Sequence, residues 1–144
     1  MKLTKRGPLF VCAVAVFFLA SCASSFGSED EKLADKAVSL GYVAGALEGL
    51  IKFGNPPETM AGADLLKEAT KQNPDLLKPL TDYVVMARRE GAHSSVLLCN
   101  KDKTRGLAED SGCTSARLDG KFWTDTPNAP CAFQLNLAVI CKKH

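Results

Sequence analysis

An α+β fold is what the chain predicts: about three helices in its N-terminal part, then a small antiparallel sheet stapled by disulfides. Three observations carry that expectation. Apolar residues recur at helical spacing from Leu33 to Ile51, short apolar runs separated by turn formers follow Gly91, and four cysteines gather between Cys99 and Cys141. The chain has 144 residues, 46% hydrophobic and 24% charged, which suits one globular domain.

The first helix is the best-defined element. Ser28-Glu29-Asp30-Glu31 has the form of a capping box, with Ser28 as N-cap and Glu31 three residues on. Leu33, Ala37, Leu40, Ala44, Leu47 and Ile51 then alternate spacings of four and three, which places them on one stripe. Gly54-Asn55-Pro56-Pro57 ends the helix, because glycine caps it and proline cannot continue the ladder. A second helix is expected over about Glu58 to Gln72, burying Leu65, Leu66 and Ala69. Asn73 and Pro74 read as the cap and first position of a third. Its regular part is expected from about Leu80, past Pro79, with Tyr83, Val84 and Ala87 inward and Gly91 closing it.

Beyond Gly91 the pattern changes to strands. Residues 95–99 are short and apolar, Asn100-Lys101-Asp102-Lys103 favours a turn, and residues 106–110 are the expected hairpin partner. Phe133, Leu135, Leu137, Val139 and Cys141 alternate with Gln134, Asn136, Ala138 and Ile140, a period of two that predicts another strand. No internal repeat is present.

Residues 1–21 form a leader. Lys2, Lys5 and Arg6 precede an apolar run from Leu9 to Ala20, and Leu19-Ala20-Ser21-Cys22 closes it with small residues before a thiol. A helix of that run spans only about 18 Å, short of a ~30 Å hydrocarbon core. The segment resembles bacterial lipoprotein signal peptides, since all four lipobox positions are met. The resemblance implies that Cys22 is the acceptor of a diacylglyceryl group and, after cleavage, of a further acyl chain such as palmitate on its new amino group. Residues 22–27 are then a lipidated tether and residues 28–144 the folded domain. Two chains suffice for stable anchoring, so the expected partner is a membrane, engaged through the N-terminus alone. Ala23 stands where the family carries an Asp for inner-membrane retention, which points to a periplasm-facing position on the outer membrane. Removing the leader's three cations leaves fifteen Lys and Arg against sixteen Asp and Glu, so no basic footprint for nucleic acid remains.

Cys12 leaves with the leader and Cys22 carries lipid, so Cys99, Cys113, Cys131 and Cys141 are expected to form two disulfides in an exported chain. Cys131 and Cys141 cannot pair across a regular run: they stand about 33 Å apart as a strand or about 15 Å as a helix, against the ~7 Å a bridge allows. Two pairings remain. The nested set, Cys99 with Cys141 and Cys113 with Cys131, is favoured over the crossed one. No metal site is expected, because no C-x2-C spacing occurs.

Chemistry-bearing patterns are few. Gly41, Gly45 and Gly49 line one helical face at a cost of about 0.8 kcal/mol or more each, so the face serves close packing, either inside the domain or against an envelope partner or second copy. His93 is the only internal histidine, and no catalytic motif or cofactor-binding loop accompanies it. Glu109, Asp110, Asp119 and Asp125 are the candidate carboxylates for glycan chemistry, while Asn100-x-Asp102-x-Thr104 departs from a calcium loop at its Gly and Glu positions. Phe122 and Trp123 are the candidate ligand contact, suited to stacking on a sugar or an apolar anchor. The expected function is that of a non-catalytic binding or accessory subunit of an envelope assembly. The alternatives are a small glycan hydrolase or binder and a purely structural lipoprotein.

Overall fold

The computed structural model describes residues 27–117, 121–122 and 129–143, with side chains described over 33–116 and 129–142. Helices come first and a small antiparallel sheet follows, so the fold is α+β, stapled by two disulfides. Helix α1 (Gly27–Gly49) continues into a widened π turn (Leu50–Gly54) and stops at Asn55, which takes a left-handed φ of 47°. Ser28 lies inside this helix and not at its N-cap. The expected stripe is the one buried: Leu33, Leu40, Ala44, Leu47 and Ile51 face the core, joined by Val43. Each fully buried leucine contributes about 1.5–3 kcal/mol of hydrophobic stabilisation.

Helix α2 (Gly62–Thr70) is shorter than expected and buries Leu65, with residues 58–59 forming a turn before it. Pro74–Leu80 is a 3-10 helix that ends where a regular third helix was expected to begin. Tyr83 precedes a strand, β1 (Val84–Glu90), not a helix. The reason lies in Gly91. It adopts φ 61° in a two-residue turn, which pairs Glu90 with His93 and folds β1 onto β2 (His93–Cys99) as a hairpin. Pairing with β2 takes up the backbone groups on one edge of Val84–Glu90, and the β-branched Val84 and Val85 suit a strand.

Strand β2 also pairs with β3 (Gly106–Ser111), the hairpin expected from the sequence, and β3 pairs with the two-residue β4 (Lys121–Phe122). The order is β1-β2-β3-β4. Between β2 and β3, Asn100 and Asp102 accept hydrogen bonds from Arg105 N and Thr104 N, so this is a self-satisfied turn. One sheet face, with Ala87, Val96, Leu98 and Ala108, packs on the α1 stripe. After β3 a 3-10 helix, Gly112–Arg117, packs back on α1.

The C-terminal segment corrects two expectations. Residues 133–141 do not form a strand. They run extended to Asn136, whose side chain accepts a hydrogen bond from Val139 N at 3.2 Å and starts the single-turn helix α3 (Leu137–Ile140). Period-two alternation therefore holds only as far as Leu137, after which Leu137 and Cys141 are buried at helical spacing. The disulfides are the crossed set, Cys99–Cys131 and Cys113–Cys141, with Cα separations of 5.6 and 5.7 Å. Antiparallel pairing explains why: Cys99 ends β2 at one end of the sheet, and β3 runs back to place Cys113 at the other. The returning chain meets the Cys99 end first, where Gly106 N donates to Ala129 O at 3.0 Å, and reaches Cys113 last. Among the described residues, no helix is long and apolar enough to cross a membrane.

Candidate functional site

Three carboxylates are buried among the described residues, Glu48, Glu109 and Asp110; the two glutamates lie on opposite sides of the sheet, and their surroundings differ. Glu48 follows Leu47 on α1 and so sits at the edge of the buried stripe, 5% exposed. Its Oε1 lies 2.9 Å from His93 Nδ1 and 3.1 Å from Lys52 Nζ, one turn along the helix. Its Oε2 accepts from Ser94 N at 3.0 Å and from Ser94 Oγ at 3.1 Å. Burial alone would raise this carboxyl, but the hydrogen bonds from His93, Lys52 and Ser94 outweigh it and hold the group below the ordinary glutamate range. An ionised carboxylate can only accept, so His93 Nδ1 carries the proton between them. The other ring nitrogen is left as the one that can take or give a proton.

Close approach of the chain makes this arrangement possible. A Cβ at Gly112 would stand 2.5 Å from Ser94 Oγ and 2.6 Å from Glu48 Oε2, so only glycine lets the turn after β3 reach the carboxylate. That turn also brings Cys113 in. A ring nitrogen of His93 and the sulfurs of Cys113 and Cys141 all lie within 4.8 Å of one another. With the two sulfurs bonded to each other, the trio offers no thiolates to a metal ion. Ser94 Oγ is committed to Glu48 and not to His93, so the two side chains share one carboxylate and form no serine–histidine relay.

Glu109 lies in the middle of β3 with no exposed surface. Its Oε2 accepts from the backbone N–H of Gln134 at 2.8 Å and of Leu135 at 3.1 Å, and Arg88 Nη2 stands 3.8 Å from Oε1. Burial raises this carboxyl, and those donors, Arg88 and Ser95 only partly offset it. Arg88 also donates to Leu135 O at 2.7 Å and lies over the Phe133 ring, 4.9 Å from its centroid. The backbone of residues 134–135 therefore bonds to side chains of the sheet instead of to a neighbouring strand. This is why an alternating sequence stays outside the sheet.

The remaining sequence candidates are dispersed. Gly41 is buried, a Cβ at Gly45 would meet Ser115 Oγ at 3.2 Å, and Gly49 has nothing within 4 Å; the glycine face thus turns from internal packing toward the surface along the helix. Further round, Val38, Tyr42 and Phe53 present apolar side chains to solvent, Tyr42 at 59% and Phe53 at 85% exposure. Tyr42 borders a shallow cleft of about 290 Å³ with Ser39, Asn73, Asp75, Leu76 and Pro79. Glu109 and the buried Asp110 are strand neighbours on opposite faces and form no facing pair. Asp119, Asp125, Trp123, Cys22 and the Phe122 side chain lie outside the described residues.

Sequence reasoning missed the Glu48–His93 pair. Its one visible signal was a lone carboxylate interrupting an otherwise uncharged stretch of helix, on the flank of the apolar stripe. No family model matches the chain, and neither a curated protein nor a solved structure does.

Proposed function

We propose that the chain is a bacterial lipoprotein, acylated at Cys22 and held on the periplasmic side of the outer membrane, whose domain serves as a binding or accessory subunit of an envelope assembly. The observation that carries the reading is the lipobox, Leu19-Ala20-Ser21-Cys22, at the end of a twelve-residue apolar run. Two disulfides are in keeping with export to an oxidising compartment. The solvent-facing Val38, Tyr42 and Phe53 supply apolar surface of the kind that protein partners cover.

Both halves of the proposal are testable in cells. The full chain should fractionate with membranes and carry an acyl mass on Cys22, and Cys22→Ala should release it to the soluble fraction; a Cys22→Ala protein that stays with membranes contradicts the anchor. A photo-crosslinking residue at position 42 or 53 should capture one discrete adduct, either a second copy or another envelope protein. Crosslinks no different from those at the exposed Lys67 would remove the case for a partner face.

A further inference from the structure

The two disulfides stand in different chemical surroundings. Cys99 is fully buried at the end of β2, and Cys131 packs its sulfur 3.6 Å from the Met86 thioether. Cys131 itself is half-buried, and the thioether beside it neither takes nor gives a proton, so it does not assist formation of a thiolate at this bridge. Cys113 is half-buried near the start of the 3-10 helix that packs on α1, its partner Cys141 is buried, and the Cys113 sulfur lies 3.7 Å from Ser111 Oγ. Beside this second bridge sits His93, 32% exposed, with Nδ1 fixed on the Glu48 carboxylate and a ring nitrogen within 4.8 Å of both sulfurs. Each bridge joins a buried to a half-buried cysteine, Cys99 to Cys131 and Cys141 to Cys113, so exposure does not separate them; what does is that a proton-transferring group stands beside the second bridge and a thioether beside the first.

We propose that Cys113–Cys141 is a thiol–disulfide exchange site for a dithiol substrate, with His93 as its proton-transferring catalytic residue and Glu48 as the residue that positions His93. The reading goes beyond anchoring and partner binding and stands whether or not Cys22 carries lipid. In the first step His93 takes the proton of an incoming thiol, and the resulting thiolate attacks the sulfur of the half-buried Cys113. A bond forms between the substrate and Cys113, the Cys113–Cys141 bond breaks, and the Cys141 thiolate leaves and receives the proton from His93. The second thiol of the substrate then attacks its own sulfur in the mixed disulfide, and its proton goes to the departing Cys113. Two electrons and two protons pass to the protein; the substrate leaves as a disulfide. The charged and titratable groups around His93 are Glu48 and Lys52 from the first helix and its π turn, Glu90 as its cross-strand partner on β1, and the two cysteines once reduced.

The test uses the purified full-length chain, dithiothreitol as the dithiol, and alkylation followed by peptide mass mapping at each time point. Cys113 and Cys141 should become alkylated together while Cys99 and Cys131 stay bridged and the circular dichroism stays native. His93→Gln should slow opening of the Cys113–Cys141 bridge on the order of tenfold or more and take the imidazole's contribution out of its pH–rate profile. The same variant should leave the Cys99–Cys131 rate unchanged. Opening of both bridges together, only as the protein unfolds, would overturn the proposal, and the wild-type chain alone decides that point. An unchanged rate and pH profile in folded His93→Gln would overturn the role of the histidine.

Discussion

Glu48 and Glu109 are both buried, yet the protein treats them in opposite ways. On the helix side of the sheet, Glu48 collects a lysine, a histidine ring nitrogen, a hydroxyl and a backbone N–H at 2.9 to 3.1 Å, and stays ionised more readily than a free glutamate. On the far side, Glu109 has two backbone donors and a guanidinium at 3.8 Å, and burial prevails. The lesson is that burial does not decide the state of a carboxyl; the number and charge of its donors do. Position follows the same division. Glu48 holds a partly exposed imidazole beside a disulfide, whereas Glu109 ties down a stretch of chain that has no strand partner.

The largest effect is expected on the far side. Glu109→Ala strands the backbone donors of Gln134 and Leu135 and removes the buried counter-charge of Arg88, which keeps its bond to Leu135 O, and should lower unfolding free energy by about 3 kcal/mol in urea titrations of the oxidised protein. A loss below that of a surface substitution would show that the C-terminal segment is held by its disulfides alone. Next comes Gly112→Ala. Its Cβ meets Glu48 and Ser94, so a cost of about 2 kcal/mol is expected, together with displacement of the His93 ring resonances in NMR spectra. Glu48→Gln keeps acceptor capacity for Ser94 but loses the charge, for a cost of about 1 kcal/mol near neutral pH. This third substitution also tests the sign of the linkage. With its folded value depressed, Glu48 contributes stability above the carboxylate range of the unfolded chain, and that contribution disappears as pH falls through the folded value; the Gln variant should flatten this acid limb. Glu109 runs the other way: its contribution is full below the unfolded range and is lost as pH rises through its elevated value, so Glu109→Gln should remove that decline. The smallest change is a gain. Gly49→Ala, in helical geometry with open space around it, should stabilise by about 0.5–1 kcal/mol, while Gly45→Ala gains less because the Ser115 hydroxyl must give way.

Legibility followed locality. The stripe of α1, its stop before Pro56 and the β2–β3 hairpin are set by spacing and turn chemistry within a few residues, and they were readable. Residues 84–90 were not, because Val84 and Ala87 share a helical face by spacing, and only pairing with β2, which sends them to opposite faces of the sheet, makes the segment a strand. Residues 133–137 misled in the opposite direction: their alternation reflects packing across the sheet, but Glu109 and Arg88 occupy the backbone groups that a ladder would use. Disulfide pairing depended on which end of the sheet each cysteine reaches, a property of topology and not of spacing. The Glu48–His93 contact joins residues 45 apart and left only an isolated charge on α1 as a trace.

Carboxyl ¹³C NMR of the full chain across the acidic range tests the contrast most directly, with Glu48→Gln and Glu109→Gln assigning the two signals. Glu48 should titrate below the free-glutamate range with His93 Nδ1 protonated at every pH where that carboxylate is charged, and Glu109 should titrate above it. Coincident titrations, or the reverse order, would contradict the division of labour between the two faces and remove the oriented histidine on which the exchange site depends.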